Sequence, residues 1–356
     1  MTVEPFRIAI PQPLLDDLRQ RLERTRWPDE AEGAGWEYGA ELAFVRELVG
    51  YWRDDYDWRA REAELNRLSH YRAEIDGLGV HFIHERGRGP APRPLLLLHG
   101  WPDSFYRYVK LIPLLTDPAR FGGDPADAFD VIIPSLPGFG FSDRPAQRGG
   151  ADVAGLLIGL MERLGYHRFF IHGGDTGSPL AKAMASRRPD AVAGIHLSDI
   201  GYDAAVFLDP AELTPPEQEY LARVEQWSHQ HGGYYMIQST RPQTLAYGLT
   251  DSPAGLAAWI VDHFHQWRDP AGDAEGWISR DDLLTNVMIY WATGTLNSSI
   301  RWYRDANDGA AWEEVPAPVS VPVGVALFPY DPPLGGPPPR ELAERTLNVR
   351  RWTEMA

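Results

Sequence analysis

The spacing of the hydrophobic residues changes near position 70, and this change divides the chain. Apolar residues recur at helical intervals in residues 12–25 and again in residues 41–52. From residue 71 the pattern alternates, in YRAEI and VHFIHE, which predicts a β-hairpin with its turn at Asp76-Gly77. Because the helical stretches come first, we expect an N-terminal helical extension before the sheet.

Five continuous apolar runs follow, and each is typical of a strand that is buried on both faces. Helical patterns at 151–164 and 178–187 separate some of these runs. Strand, turn, helix and strand in succession predict an α/β fold with a mostly parallel, doubly wound sheet. The runs are PLLLLHG (94–100), FDVIIPSLPGFG (129–140), FFIHGG (169–174), VAGIHLSD (192–199) and VPVGVALFP (321–329).

A long insert separates the last two of these strands. It is rich in Trp, Tyr and Leu and its pattern is mostly helical, for example in 256–267 and 282–296. An insert after a sheet strand lies at the carboxyl end of the sheet, so we expect it to form a lid over a site there. The predicted organisation is the following: 1–90, the extension and first strands; 91–200, the first part of the core; 201–315, the helical lid; 316–356, the second part of the core.

Composition and charge exclude several classes of function. The chain has 356 residues, of which 44% are hydrophobic, and its net charge is -16. That charge argues against nucleic acid or an anionic membrane as a partner. The absence of cysteine excludes disulfides, thiolate metal sites and a cysteine nucleophile. The first residues lack the layout of a signal peptide, and no apolar run approaches the ~18 residues of a membrane span, so we expect a soluble cytoplasmic protein.

The stretch GGDTGS, residues 173–178, has the G-x-Nu-x-G spacing of a nucleophile elbow, with an acid where serine is usual. A tight strand-to-helix turn requires small neighbours, which Gly173, Gly177 and Ser178 provide. The following helix directs its N-terminal amides at Asp175, so we expect an ionised carboxylate that can attack carbon. An N-cap role for Asp175 explains this stretch equally well.

Two further glycine-rich loops follow predicted strands. HGWP (99–102) follows the first buried strand, and PSLPGFGFSDRP (134–145) follows the next. In this architecture the first loop supplies one backbone N–H of an oxyanion hole, from Trp101, and Thr176 supplies the other. We expect His99 to be a packing histidine. Three motifs in this order, each at a strand end, favour the nucleophile over the helix cap.

The chain resembles the microsomal-type epoxide hydrolases, which are α/β-hydrolase enzymes with an N-terminal helical extension, and within them the bacterial members. The resemblance covers essentially the whole chain. GGDTGS and the run from STRPQT to DSPAGLAAWI are its most specific parts. The motifs that carry it are RWPDE, YWRDDYDWRAREAELN, HGWPDS, PSLPGFGFS, GGDTGS, IQSTRPQTLAYGLTDSPAGLAAWI, DDLLTNVMIYW and VALFPYD.

The resemblance implies a role for several residues. Asp175 is expected to attack an epoxide carbon and form an alkyl-enzyme ester. Two lid tyrosines, Tyr234 and Tyr303, are expected to protonate the epoxide oxygen, with Tyr235 as a competitor for the first position. Asp331 is expected to orient the histidine that activates water for ester hydrolysis. The competing interpretations are tyrosines that only pack and an Asp331 that only forms a turn.

The same resemblance implies a small-molecule epoxide as the partner and no cofactor or metal. We expect Trp101, Pro102 and Tyr235 to line the substrate pocket. The aromatic residues of the lid favour an aromatic or bulky apolar epoxide, although core packing explains the same residues almost as well. A homodimer is left open.

The chain departs from the family pattern in two places. The family's base histidine would follow RWTEMA, beyond Ala356. An incomplete sequence, another base and a variant without turnover are three explanations, and we favour the first. Thr176 stands where many relatives carry a large aromatic residue. Its backbone N–H keeps the oxyanion role, while its small side chain leaves more room for the substrate.

Two alternative functions stay open at this point. A haloalkane dehalogenase shares the aspartate nucleophile but needs N–H groups for the halide, and the indole of Trp101 could supply one. A non-catalytic binding protein is the second alternative. A serine esterase is excluded because Ser178 lies three residues after the apex of the elbow.

Overall fold

The computed structural model describes residues 2–200, 209–268, 278–307, 318–328 and 336–355. Within these ranges the strands form one sheet in the order β1-β2-β3-β5-β4-β6-β7-β8-β9. The first three strands and β5 pair antiparallel, and all pairs from β5 to β9 are parallel. The strands are β1 (Val3–Pro5), β2 (His70–Ile75), β3 (Leu78–Glu85), β4 (Arg93–Leu98), β5 (Phe129–Pro134), β6 (Phe169–Gly173), β7 (Val192–Leu197), β8 (Val319–Leu327) and β9 (Leu347–Glu354).

The centre of the sheet is buried because its strands have helices and loops packed against them. Leu96 in β4 and Ile132 in β5 pair with each other and are fully buried. Helix α6 contacts four neighbouring strands, β4, β6, β7 and β8. The predicted α/β class with a mostly parallel sheet is therefore confirmed.

The helices surround this sheet and form the insert. They are α1 (Gln12–Glu23), α2 (Leu42–Asp54), α3 (Trp58–Leu65), α4 (Ile112–Thr116), α5 (Val153–Arg163), α6 (Gly177–Arg187), α7 (Pro215–His231), α8 (Gly233–Thr240), α9 (Pro242–Asp251), α10 (Pro253–Gln266), α11 (Arg280–Thr293), α12 (Leu296–Asn307) and α13 (Arg340–Glu344). Short 3₁₀ turns lie at Gly35–Tyr38, Phe105–Leu111, Pro118–Phe121, Pro125–Asp127 and Pro210–Glu212. None of the described helices is both long enough and apolar enough to cross a membrane.

The hairpin forms where the alternating pattern predicts it. Ile75 in β2 pairs with Leu78 in β3, and the two residues between them, Asp76 and Gly77, have φ values of 49° and 81°. Two successive left-handed residues make the tight hairpin turn that suits an Asp-Gly pair. The sequence reading missed β1, because three residues are too few to show an alternating pattern.

The helices of the insert pack on one another and on the N-terminal extension. Helix α12 contacts α8 and α9, and α10 contacts α1 and α2. Trp36 of the extension stacks on His265 of α10, with ring centroids 3.6 Å apart. The N-terminal helices therefore support the insert directly. The predicted boundaries at 201 and 315 fall outside the described residues, so the extent of the lid stays a prediction.

Two details of the sequence reading are wrong. The predicted helical stretch 282–296 is two helices, because Gly294 adopts φ 62° and ends α11 before α12 begins at Leu296. Strand β9 was not predicted. It lies at the edge of the sheet, parallel to β8, and its mostly exposed charged residues obscure the strand pattern.

Candidate functional site

Asp175 lies at the apex of the turn between β6 and α6. Its φ of 51° is left-handed, which is rare for a residue other than glycine. A Cβ on Gly177 would lie 2.2 Å from the carbonyl oxygen of Leu98, and one on Gly173 would lie 2.2 Å from that of Gly177. Only glycine fits at both positions, which explains the spacing of the elbow.

The two carboxylate oxygens of Asp175 have different surroundings. Oδ1 accepts hydrogen bonds from the backbone N–H of Trp101 at 2.9 Å and from that of Thr176 at 2.6 Å. The Thr176 hydroxyl also donates to Oδ1, at 2.9 Å. Within the described part of the chain, Oδ2 accepts no hydrogen bond. Oδ1 therefore accepts from both backbone donors, while Oδ2 is available to react with a bound molecule.

The surroundings of Asp175 shift its pKa in the direction opposite to the one expected from the helix N-terminus alone. Burial raises the pKa of the carboxyl above its usual range, and the charge of Asp103 adds to the rise. The hydrogen bonds from Thr176 and Trp101 oppose the rise but do not cancel it. The turn therefore does not hold the acid more strongly ionised than usual. Thr176, not Asp175, occupies the N-cap position of α6.

The HGWP loop approaches Asp175 closely because it contains Gly100. A Cβ on Gly100 would lie 1.9 Å from Oδ1 of Asp175. His99 is buried, donates from Nδ1 to the carbonyl oxygen of Gly100 at 3.1 Å, and accepts from the Leu136 N–H at 3.2 Å. Burial lowers the pKa of His99 to about 4. His99 thus links the loops after β4 and β5, which agrees with the expected packing role.

The two lid tyrosines lie beside Trp101. The ring of Tyr234, in α8, stacks on the Trp101 indole with centroids 5.7 Å apart. The ring of Tyr303, in α12, meets the same indole edge-on at 6.0 Å and lies 6.1 Å from Tyr234. Burial raises the pKa of Tyr303 well above its usual range, and the charge on Asp175 contributes. The structure therefore brings Asp175, Trp101 and both tyrosines together.

The other predicted pocket residues lie nearby. Tyr235 is half-buried, with its ring 5.5 Å from that of Tyr303. Pro102 is buried and follows a cis peptide bond from Trp101. Asp331 lies outside the described residues, so its predicted role is untested.

Sequence reasoning missed two residues of α11 that hold the HGWP loop. Asn286 is buried, and its amide nitrogen donates to the Pro102 carbonyl oxygen at 2.7 Å, while its oxygen accepts from the Ser104 hydroxyl at 2.8 Å. Tyr290 donates from its hydroxyl to the carbonyl oxygen of Asp103 at 2.5 Å. These two polar residues, four apart in the buried and largely apolar stretch 283–290 of α11, were the available signal.

The site contains no evident metal centre. Among the residues in the described ranges, no three or more His, Asp or Glu side chains are grouped so as to hold a metal ion. Two backbone donors on one carboxylate oxygen, with phenols beside them, suit nucleophilic displacement with stabilisation of an oxyanion.

Comparison with known proteins gives a consistent result. Residues 3–108 match the family model described as the epoxide hydrolase N terminus, and residues 93–235 match that of the alpha/beta hydrolase fold. A protein of Stigmatella aurantiaca (strain DW4/3-1), provisionally named an epoxide hydrolase, is 46% identical over 92% of this chain and 74% of its own. Epoxide hydrolase 1 of Sus scrofa is 36% identical over 93% of this chain and 79% of its own.

Solved structures agree with these sequence relatives. Juvenile hormone epoxide hydrolase from the silkworm Bombyx mori superposes with a TM-score of 0.83 and 30% identity, over 99% of this chain and 87% of that one. The Aspergillus niger epoxide hydrolase superposes with a TM-score of 0.84 and 28% identity, over 100% of this chain and 90% of that one. The α/β-hydrolase fold predicted for this chain is confirmed by these matches.

Proposed function

The chain belongs to the epoxide hydrolase family, and on this premise we propose that Asp175 opens the epoxide as the nucleophile while Tyr234 and Tyr303 protonate its oxygen. The reaction converts a small-molecule epoxide into a vicinal diol. The observation that carries the assignment is the unequal environment of the two Asp175 oxygens, with three hydrogen bonds on Oδ1 and none on Oδ2 among the described residues.

The first step is the opening of the ring. Oδ2 of Asp175 attacks one epoxide carbon, the C–O bond of the ring breaks, and its electron pair goes to the epoxide oxygen. That oxygen takes a proton from a lid phenol, because an alkoxide is a stronger base than a phenolate. The Tyr303 phenol carries its proton before the reaction, since the ordinary pKa of tyrosine is about 10 and burial raises that of Tyr303.

The second step is hydrolysis of the ester. Water attacks the carboxyl carbon of Asp175, and negative charge develops on Oδ1, where the N–H groups of Trp101 and Thr176 already lie within hydrogen-bond distance. Removing one such donor typically costs a factor of about 10²–10³ in rate. Collapse of this intermediate releases the diol and restores the carboxylate, while one proton of the water goes to the departing diol oxygen and the other returns to the phenolate. Asp331 stays the proposed acid that orients the base for this water.

Four aromatic side chains support an aromatic or bulky apolar epoxide as the substrate. Trp101, Tyr234, Tyr235 and Tyr303 form a continuous group of ring contacts with centroid separations of 5.5–6.1 Å. Such surfaces bind flat, apolar groups well. Membership of the epoxide hydrolase family also favours this reaction over dehalogenation and over a non-catalytic role.

A single turnover of styrene oxide in ¹⁸O-labelled water tests the mechanism. Through the ester, the water oxygen enters the Asp175 carboxylate, and the first diol released carries an unlabelled enzyme oxygen. Mass spectrometry of the diol and of the peptide containing Asp175 should show this distribution. Labelled diol with an unlabelled peptide would mean direct attack by water and would remove Asp175 as the nucleophile.

A further inference from the structure

Buried N–H groups without hydrogen-bond partners are concentrated beside the candidate site. In native proteins nearly all buried polar groups are paired, so an unpaired group needs an explanation. Within the described ranges, three unpaired donors belong to Trp101 and Trp267, whose rings contact His263, and to Gln238, which bonds the neighbouring Trp259; we name these three residues the donor cluster. The buried side-chain nitrogen and oxygen atoms without a partner in these ranges are five donors, Trp52 Nε1, Trp101 Nε1, Gln238 Nε2, Trp267 Nε1 and Arg268 Nη1, and one acceptor, Asn297 Oδ1.

Ring contacts bring the donor cluster together. The indoles of Trp101 and Trp267 both pack edge-on against the His263 imidazole, at centroid distances of 4.9 and 5.3 Å. Gln238 is fully buried and reaches the same group through Trp259, whose ring lies 5.7 Å from His263. Three donors from three different segments of the chain therefore share one neighbourhood.

Hydrogen bonding fixes how two of these polar groups are oriented. The indole N–H of Trp259 donates to Oε1 of Gln238 at 3.0 Å, so the amide nitrogen of Gln238 must face the other way. Nδ1 of His263 lies 2.6 Å from the Trp259 carbonyl oxygen on its own helix, which makes Nδ1 the protonated nitrogen. Nε2 is then an acceptor on the far side of the ring. The Gln238 amide nitrogen and the His263 Nε2 therefore each lie on the side of their group that faces away from its bond to Trp259.

The donor cluster adjoins the reacting groups. Trp101 belongs to both, since its backbone N–H lies on Oδ1 of Asp175 while its indole packs on His263. Tyr234 is also shared, with its ring 4.5 Å from that of His263. A substrate whose epoxide lies between Asp175 and Tyr234 would therefore reach the donor cluster with a substituent only a few atoms long.

The chemistry of the donor cluster selects an uncharged oxygen. Its members are neutral N–H donors, and His263 is neutral as well because burial lowers its pKa to about 4. Arg268 follows Trp267 in the chain, and its Nη2 lies 3.0 Å from Nε2 of His265, which is two residues from His263 and so on another face of α10. An ether or carbonyl oxygen satisfies these neutral donors without a charge to desolvate, whereas an anion would have to lose its hydration.

We propose that the donor cluster of Trp101, Gln238 and Trp267 is a substrate subsite for an ether or carbonyl oxygen, so that the enzyme prefers epoxides carrying such an oxygen to hydrocarbon epoxides of the same shape. The proposal rests on the proposed function, because it places the epoxide itself at Asp175. It makes Trp267 and Gln238 determinants of specificity.

Two nearly isosteric substrates test this preference. Phenyl glycidyl ether and 4-phenyl-1,2-epoxybutane differ by one ether oxygen in place of a methylene. The ratio of their kcat/KM values should favour the ether by roughly tenfold or more, because the hydrocarbon leaves buried donors unpaired. Trp267→Phe removes one donor and should bring this ratio towards one. Trp52→Phe is the matched control, since it removes an equally unpaired indole N–H from α2, and it should keep the wild-type ratio.

The outcomes separate the subsite from the proposed function. Equal kcat/KM values for the two substrates in the wild-type enzyme would overturn the subsite and leave the mechanism intact. A wild-type enzyme that forms neither diol nor ester with either substrate would count against the mechanism itself. If Trp267→Phe does not fold, Gln238→Met serves in its place, because it removes another donor of the cluster. If every folded variant keeps the wild-type ratio of kcat/KM values, even with lower values for both substrates, Trp267 and Gln238 have a merely structural role.

Discussion

The backbone N–H of Trp101 lies 2.9 Å from Oδ1 of Asp175, and this bond joins the loop after β4 to the turn after β6. The two segments can approach so closely only because Gly100 has no side chain. Trp101 thus places a backbone donor on the carboxylate, while its indole forms one wall against the lid tyrosines. The donor's position depends on the neighbouring glycine.

Gly100→Ala should therefore impair catalysis more than folding. The new Cβ would lie 1.9 Å from Oδ1, so the loop or the carboxylate must move and the Trp101 donor is displaced. We expect kcat to fall by about 10²–10³, the effect of losing one oxyanion donor. Gly50→Ala is the control, because a Cβ there meets nothing within 4 Å in α2. Wild-type kcat in Gly100→Ala would mean that this close approach is not needed.

The raised pKa of Asp175 predicts how ester formation depends on pH. The nucleophile must be ionised, so the rate of enzyme alkylation should fall as the pH drops through the pKa of Asp175. Because burial raises that pKa, the midpoint should lie above the usual aspartate value of about 3.9. Single-turnover alkylation, followed by mass spectrometry at a series of pH values, measures the midpoint.

Thr176→Val sharpens this test. The substitution removes the hydroxyl that donates to Oδ1 and keeps the backbone N–H. Since the hydroxyl bond lowers the pKa of Asp175, its loss should move the alkylation midpoint to higher pH. A midpoint that moves to lower pH would contradict the assigned direction. Ser178→Ala is a suitable control, because the Ser178 hydroxyl donates to the Asp199 carbonyl oxygen and not to the carboxylate.

The two lid tyrosines should act on the ring-opening step. Tyr234→Phe and Tyr303→Phe each keep the ring contacts with Trp101 and remove the proton donor. We expect the single-turnover rate of ring opening to fall by a factor of about 10²–10⁴ in the double variant, the usual contribution of general acid catalysis. The matched control is Tyr247→Phe in α9, a lid tyrosine that is 73% exposed. A double variant with an unchanged opening rate would remove both phenols from the mechanism.

The core of the fold and the centre of the site could be predicted from the sequence. The edge strands and the residues that support the site could not, for physical reasons. Continuous apolar runs reveal strands buried on both faces, whereas β1 is too short and β9 too charged to be recognised. Trp101 and Thr176 could be placed beside Asp175 because tight turns have only a few geometries. The roles of Asn286 and Tyr290 depend on carbonyl groups more than 180 residues away, which no local pattern contains.

The bonds from Asn286 to the HGWP loop should stabilise both the fold and the site. Asn286→Ala leaves the Pro102 carbonyl oxygen and the Ser104 hydroxyl without their partner in a buried region. Each unpaired group costs about 1–3 kcal/mol, so the free energy of unfolding should fall by a few kcal/mol, as measured by urea denaturation. Asn348→Ala, which removes a bond to the Ser320 carbonyl oxygen at the surface, should change it much less.

A second prediction for Asn286 concerns its coupling to Ser104. Ser104→Ala should cost less stability in the Asn286→Ala background than in the wild-type protein, because the bond between the two side chains is already lost there, while the bond from the Tyr106 N–H to Ser104 is lost in both. Fully additive losses would show that the two residues act independently.

A buried chain of hydrogen bonds predicts that acid destabilises the protein. Nε2 of His70 lies 2.8 Å from the Leu65 carbonyl oxygen, and Nδ1 of His70 lies 2.9 Å from Nε2 of His81, whose Nδ1 lies 2.8 Å from the Ser135 hydroxyl. One direction satisfies every group: Ser135 donates to His81, His81 to His70, and His70 to the carbonyl oxygen. In that arrangement both imidazoles are neutral. Burial lowers the pKa of His70, and that of His81 well below its usual value.

The sign of the effect follows from where the protons bind. Below about pH 6.5 these histidines take up protons in the unfolded chain but not in the folded protein, so the free energy of unfolding falls as the pH drops. Between pH 7.5 and 5.5 His81 should account for a loss of about 1.4 kcal/mol in the free energy of unfolding, with a slope that approaches about 1.4 kcal/mol per pH unit only well below pH 6.5, and His81→Gln should remove it. Urea denaturation between pH 7.5 and 5.5 measures both slopes, with His229→Gln, an exposed surface histidine, as the control. If His81→Gln has the wild-type slope, His81 is already protonated in the folded protein.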